Sequence, residues 1–380
     1  MSTNLVQALI DQTSDMIWLE ILQRDYKINA VPDPTGRLVS LKYDQIESPM
    51  AEPIVQQCRG MVVDVRARKV VAWPYNKFWN LGETLAAPVD WATARVLEKL
   101  DGSLMILYWD PHLEEWTVAS SGHPTAGGGF SRSGDETTFA HAFWSLFRAA
   151  GASLEYAARD VTYMLELCAS ENRIVVQHAT PRLVLHGARK LTTGREFSHE
   201  ELHGHAAVIG VRLVQTFPLA DAAGVTVAAQ GLDPVAQEGF VVVDANFHRV
   251  KVKSPRYVQL HHMRGATTTR RVIDLWKAGE VAEFLTYFPE LRADIEAVLM
   301  RLDALIANVA ADWAQHYTYI RKDFALAIKD RPWSAILFRM LSVTPTWRPG
   351  VASTPTAKEV AAHIKTIAVG LSVEALERMM

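Results

Sequence analysis

A lysine set in a short polar break between two apolar runs is the first group in this chain that could do chemistry. Lys99 lies in Glu98-Lys99-Leu100-Asp101-Gly102-Ser103, flanked by the β-type runs 94–97 and 104–109. A lysine amine, with an ordinary pKa of about 10.4, is protonated and inert at neutral pH unless burial or neighbouring cations lower that value. Downstream, Val250-Lys251-Val252-Lys253 alternates strictly, so on a strand both lysines share one face and both valines the other. Two cations aimed at Lys99 favour its neutral, nucleophilic form. Two carboxylates complete the set, Glu166 inside the apolar run 161–168 and Glu238 at the lip of the run 239–243. A bare charge within a strand is costly without a partner, so Glu166 is either an edge residue facing water or a functional ligand. Three lysines and two carboxylates at strand ends or mid-strand together describe a site for a metal and a polyphosphate.

Asp-Gly between alternating segments is also the signature of an ordinary hairpin turn, so the surrounding elements decide what Lys99 is worth. Residues 5–22 carry apolar groups at helical spacing and predict one or two helices. Strand alternation follows in 26–31 and 37–43, a hairpin around Pro32-Asp33-Pro34-Thr35-Gly36, and again in 58–65 and 69–73 around Arg66-Ala67-Arg68. Residues 77–83 have no period of their own, and the plain reading of Phe78 and Trp79 is a core plug. A strand at 115–121, a Gly- and Ser-rich loop at 122–134 and an amphipathic helix at 136–150 come next, the helix bearing Phe139, Phe143, Leu146 and Phe147 on one stripe. The run 161–168 reads as a strand, 182–188 continues its sheet, and 237–243 returns through Asp244-Ala245-Asn246 into 249–253. From His262 the periodicity is helical, in 274–278, 281–288, 291–313, 324–329, 333–341 and 356–380, with a proline-containing loop at 344–356. The expected organisation is an α+β domain over 1–261 and a helical domain over 262–380.

With 380 residues and 49% hydrophobic content, the chain can bury two cores. A net charge of −3 excludes a globally basic nucleic-acid coat, so any such partner meets a local patch. Cys58 and Cys168 have no metal-ligand spacing and read as reduced thiols of a cytoplasmic protein. The N-terminal residues lack a cationic leader and no stretch approaches 18 uncharged apolar residues, so neither export nor a membrane partner is expected.

Taken in order, these segments resemble the covalent nucleotidyltransferase superfamily, and most closely the RNA ligase 1 family of bacteriophage RNA-repair enzymes. Lys99-Leu100-Asp101-Gly102-Ser103 resembles the nucleotidyl-lysine motif, and Cys58-Arg59-Gly60 and Lys77-Phe78-Trp79-Asn80-Leu81 resemble the elements upstream of it. Met164-Leu165-Glu166-Leu167 with Asn172-Arg173-Ile174-Val175, Glu238-Gly239-Phe240-Val241-Val242, and Val250-Lys251-Val252-Lys253-Ser254 with Tyr257 resemble the later motifs. The match covers about residues 40 to 262.

The resemblance implies an α+β fold, an antiparallel-sheet nucleotidyltransferase domain of the ATP-grasp-like ligase kind followed by a helical domain linked with tRNA, and an active site between the sheets. It implies ATP as co-substrate, Mg²⁺ with Mn²⁺ as its substitute, and RNA with 5′-phosphate and 3′-hydroxyl ends, a nicked tRNA being the natural candidate. By the same pattern Lys99, Asp101, Glu166, Glu238, Lys251 and Lys253 are catalytic. Arg59, Lys77, Lys99, Gly102, Glu166, Gly239, Lys251 and Lys253 bind the nucleotide, and Glu238 and Glu166 bind the metal. The implied enzyme is a monomer of the cytoplasm, the host's if phage-encoded. One departure stands out: where the family has a basic residue in a Thr-Lys-Gly-Ser-like stretch, this chain has Ser120-Ser121-Gly122-His123. Either His123 substitutes or the triphosphate is held with one cation fewer. DNA ligases and capping enzymes share the lysine motif but continue into an OB fold, which the helical pattern after His262 argues against. A non-catalytic RNA- or nucleotide-binding module would have lost its reactive groups, and none is missing. An enzyme that only adenylylates itself is not separable by sequence.

Overall fold

Strand alternation in the first part of the chain resolves into three sheets. The computed structural model describes residues 3–130, 137–264, 268–317, 320–343 and 356–380. Its strands are β1 (Ile28–Pro32), β2 (Leu38–Tyr43), β3 (Arg59–Asp64), β4 (Lys69–Ala72), β5 (Trp79–Asn80), β6 (Arg95–Lys99) and β7 (Ser103–Asp110). They continue as β8 (Glu115–Ser120), β9 (Val161–Cys168), β10 (Arg182–Lys190), β11 (Arg212–Leu213), β12 (Thr216–Phe217), β13 (Gly239–Val243) and β14 (Arg249–Lys253). The first sheet is β1-β2-β3-β4, the second β11-β10-β9-β7-β8 and the third β12-β6-β13-β14-β5. Pairings are antiparallel except for the two-residue edges, β11 on β10 and β5 on β14.

The second sheet is the middle layer. Its Ile106 and Tyr108 pack on Leu38, Val62 and Ala72 of the first sheet, and its Cys168 and Val184 join Leu97 of the third. The opposite face, carrying Met105, Leu107, Tyr163 and Leu165, is covered by α4 (Phe139–Ala149) and α5 (His199–Ile209). Phe143 and Phe147 of α4 are buried there, so its aromatic stripe is core, worth about 1.5–3 kcal/mol per fully buried side chain. α1 (Leu5–Gln12) and α2 (Ile17–Tyr26) back the first sheet, α3 (Pro53–Gln57) leads into β3, and α6 (Ala222–Gln230) backs the third. The helical spacing of 5–22 is thus two helices, and the α+β expectation holds with the strands in separate layers.

The largest difference from the sequence reading concerns Lys99. The Asp-Gly break does not close a hairpin: β6 belongs to the third sheet and β7 to the second, so the chain changes layer at Leu100-Asp101-Gly102. A local turn signal is blind to which sheet each flanking strand joins, because that is decided by distant partners.

The chain forms two compact units, Met1–His261 and His262–Met380. α7 (Pro255–Arg264) follows β14, and the second unit contains α8 (Thr269–Ala278), α9 (Val281–Tyr287), α10 (Arg292–His316), α11 (Arg321–Ile328), α12 (Ser334–Val343), α13 (Ala357–Val369) and α14 (Val373–Met379). Its core is its own, built from Leu302, Leu305, Val309 and Trp313 of α10 against Phe324, Ile336, Ile364 and Leu376. The periodic stretch 356–380 is broken by Gly370-Leu371 and by Ser372, whose hydroxyl caps α14. Most of the proline-containing loop at 344–356, the end of the Gly- and Ser-rich loop and Glu136 lie outside the described residues. Cys58 and Cys168 are free and buried, and burial pushes both thiols up, away from reactive thiolate. No helix among the described residues is long and apolar enough to cross a membrane.

Three hairpin tips are lashed together by one buried cation. Asp33, Asp64 and Asp110 each accept backbone N–H groups of their own tips, from Leu38, from Arg66 and Ala67, and from His112. Arg37 donates to Asp64 at 2.6 Å and, through both terminal nitrogens, to Asp110, joining the first sheet to the second. All four side chains are buried. Replacing Arg37 by Met strands two buried carboxylates, which should destabilise the first unit by about 3–5 kcal/mol. A clearly lower urea midpoint for that unit is the expected result, and an unchanged midpoint would show that the lashing is decorative.

Candidate active site

The register of the third sheet brings three distant residues into one row. Gly239 opens β13 and pairs with Lys99 at the end of β6 on one side and Lys253 at the end of β14 on the other. Glu238 directly precedes it, so its carboxylate falls between the two ammonium groups: Lys99 Nζ donates at 2.7 Å and Lys253 Nζ at 2.9 Å. Only 3% of Glu238 is exposed, and charge-assisted bonds to both oxygens are what make its burial tolerable. Gly239 is required by the backbone, since a Cβ there would stand 2.2 Å from the Val252 carbonyl oxygen. Gly102 is similar, its missing Cβ lying 2.4 Å from the Leu167 carbonyl oxygen. At both glycines the backbone of a neighbouring strand approaches too closely for any side chain.

These groups open into a cavity of about 320 Å³ between the second and third sheets. Along β14 the alternation works as expected: Arg249, Lys251 and Lys253 share a half-buried face, with Val250 and Val252 on the other. Burial first, then the positive charges of Lys77, Lys99, Lys253 and Arg59, push the Lys251 amine down to about 8. Arg59 enters from β3 with its guanidinium 5.0 Å from the Phe78 ring centre, and its Nη1 is buried with no hydrogen-bond partner among the described residues. Phe78 is not a core plug: half-buried, it lines the cavity with Arg59 and Lys251 over its ring. Lys77 lies outside the lining, its ammonium 5.1 Å from the Tyr43 ring centre, and acts on the cavity through its charge.

On the opposite wall, Glu166 sits in the row Leu104–Glu166–Val184 and turns its side chain into the cavity. The side chain of this mid-strand charge therefore faces a cavity lined by cationic residues and not an open sheet edge. His186 Nε2 lies 3.4 Å from the Glu166 carboxylate, and the His186 ring stacks on Tyr75 with centres 5.6 Å apart. His186 sits on a β-bulge, and Tyr75 Oη occupies the space a side chain at Gly187 would need. The sequence reading missed Tyr75, His186 and Arg249. Arg249 was visible, two residues before Lys251 on the same alternation; the other two depend on a bulge that leaves no sequence signal.

Asp101 lines the cavity, but its carboxylate is engaged by the protein itself. Its carboxylate is buried, accepting from the Val175 and Val176 amides at 2.8 and 2.7 Å and from the Tyr257 hydroxyl at 2.8 Å. His123 likewise serves its own loop, with Nδ1 accepting from the Thr125 and Gly127 amides, and does not line the cavity. Among the described residues no three His, Cys, Asp or Glu side chains converge as a metal cage.

The family model described as RNA ligase matches residues 57–257, from just before Arg59 to Tyr257. The chain belongs to the RNA ligase family. An RNA ligase of Rhodothermus phage RM378 is 23% identical over 327 residues, covering 70% of this chain and 73% of that protein. Among solved structures, an archaeal ATP-dependent RNA ligase is similar over 96% of this chain and 97% of its own, at 14% identity and a TM-score of 0.47. A variant Naegleria gruberi RNA ligase with ATP and Mn is similar over 45% of this chain, at 17% identity and a TM-score of 0.36, and this chain spans about half of it, 52%.

For this RNA ligase the depressed Lys251 amine has a consequence for polyanion binding. Below about pH 8 Lys251 is charged and attracts phosphate; above it the charge, and that attraction, are lost. Calorimetry with ATP in the absence of divalent metal should show affinity declining between about pH 7.5 and 9, where the terminal phosphate of the ligand is already ionised. In Lys251→Arg, which does not titrate in this range, the decline should be smaller; an identical slope would refute the assignment.

Proposed function

We propose that this RNA ligase joins a 5′-phosphate to a 3′-hydroxyl of RNA in three steps at the cavity around Lys99. The observation that carries the reading is the row Lys99–Gly239–Lys253, with Glu238 between the lysines and Lys251 and Arg59 beside them. In the first step Lys99 Nζ attacks the α-phosphorus of ATP; a P–N bond forms, the α–β bridge breaks and pyrophosphate leaves. An oxygen of the RNA 5′-phosphate then attacks the same phosphorus, releasing Lys99 and forming an RNA-adenylate. Finally the 3′-hydroxyl attacks the 5′-phosphate and AMP departs.

Phosphoryl transfer of this kind needs in-line positioning and positive charge over the transferring oxygens. Arg59, Lys251 and Lys253 meet the phosphates, with Lys77 adding charge from behind. Glu166 takes the ribose or the metal, and Glu238 holds the lysine pair and offers the second carboxylate. A Mg²⁺ or Mn²⁺ ion fits this donor set, since Mg²⁺ ordinarily takes one or two carboxylates and completes its shell with substrate phosphates and water. When bound, the ion supplies charge neutralisation at the transferring phosphate.

The second unit, helical throughout its described residues, is read as the RNA-recognising part, with a nicked tRNA as its RNA. The working form is read as a monomer in the cytoplasm.

Mass spectrometry after incubation with ATP and Mg²⁺ should show one added AMP on the wild type and none on Lys99→Ala. No addition to protein first freed of bound AMP would favour a binding module instead. Glu238→Gln should seal RNA about a hundredfold more slowly in a circularisation gel while melting like a folded protein. Wild-type sealing by that variant would remove Glu238 from the mechanism.

A further inference from the structure

We propose that His178 is a positioning residue of this ligase, fixing with Asn172 and Asp101 the turn from which Lys99 is presented. The inference rests on the ligase reading and concerns residues outside the cavity: neither His178 nor Asn172 lines it.

Leu100-Asp101-Gly102 passes between two sheets and belongs to neither ladder, so something other than strand pairing must hold it. The loop between β9 and β10 does so from several directions. The Val175 and Val176 amides donate to the Asp101 carboxylate, His178 Nε2 donates to the Asp101 backbone carbonyl, and Asn172 Nδ2 donates to Ser103 Oγ at 2.6 Å. His178 is buried, and burial holds its pKa below the usual imidazole range, so a neutral ring with its proton on Nε2 suits the carbonyl acceptor. The same loop reaches the other half of the site, since the Gln177 amide donates to the Val235 carbonyl at 2.8 Å, three residues before Glu238. One short segment thus grips both the turn that carries Lys99 and the approach to the carboxylate that holds it. The lysine side chain is long and flexible, so the aim of its amine depends on how firmly its backbone is placed. An in-line attack tolerates little displacement.

The test uses the full chain with ATP and Mg²⁺, following AMP addition to Lys99 in a single turnover across ATP concentrations, with thermal melting alongside. His178→Ala should slow AMP transfer at saturating ATP by at least about tenfold while the half-saturating ATP concentration changes little. His178→Gln, whose amide nitrogen stands in for Nε2, should recover most of the rate. If His178→Ala melts below the assay temperature, the half-buried Asn172→Ala carries the same expectation. Unchanged rates, a loss confined to ATP affinity, or equal slowing in His178→Ala and His178→Gln would overturn the inference. A wild type that adds no AMP would overturn the ligase reading and this inference with it; an active wild type with an equally active His178→Ala overturns the inference alone.

Discussion

One buried carboxylate shared by two ammonium groups sets the terms for the whole site. Glu238 balances a single charge, yet Lys99 and Lys253 both bond to it and Lys251 and Arg59 stand close by. The protein's own groups therefore leave the cluster net positive in a cavity that water only partly screens. Some of that strain is relieved at Lys251, whose amine gives up its proton far more readily than a lysine in water. A polyphosphate relieves the rest. Attraction for a polyanion and the lowering of the Lys251 amine have one electrostatic origin here, because the crowding that disfavours one more positive charge favours an incoming negative one.

Such crowding survives only on a backbone that cannot relax away from it. The third sheet places Lys99, Gly239 and Lys253 in one row, and the absence of a side chain at Gly239 lets β13 and β14 close up at that point. The second sheet supplies the opposing wall, made stiff by the core beneath α4 and α5 on its far face. Arg37 then ties the first sheet to the second through Asp64 and Asp110, so β3, which delivers Arg59, is anchored to the layer that carries Glu166. Each charged residue of the cavity is thus held by an apolar layer behind it.

Features that depend on local pattern were legible in the sequence. Lys251 and Lys253 share a face because a strand alternates, and the helices of the second unit follow from their apolar period and from caps such as Thr356 and Ser372. The resemblance brought together the motifs that supply the cavity. What could not be read was pairing at a distance. Lys99 and Glu238 are separated by 139 residues, and their contact depends on β6 lying beside β13, which no local signal specifies. The Asp-Gly break misled for the same reason: it marks a reversal of chain direction equally well when the chain steps to another sheet. Phe78 looked like core because an aromatic side chain buries well in either place.

Asp101 shows why a motif's chemistry and its geometry have to be separated. By residue type it is a carboxylate two positions from Lys99, well suited to a proton or a metal. In the fold both of its oxygens are spent on the Val175 and Val176 amides and the Tyr257 hydroxyl, and its carbonyl faces His178. Its place in the fold is at the step between sheets. A turn that no ladder supports must be bonded sideways, and a buried carboxylate accepting from the loop between β9 and β10 and from the Tyr257 hydroxyl of α7 does that with one side chain. Gly102 completes the arrangement, because only there can the turn lie against the Leu167 carbonyl and still lead straight into β7.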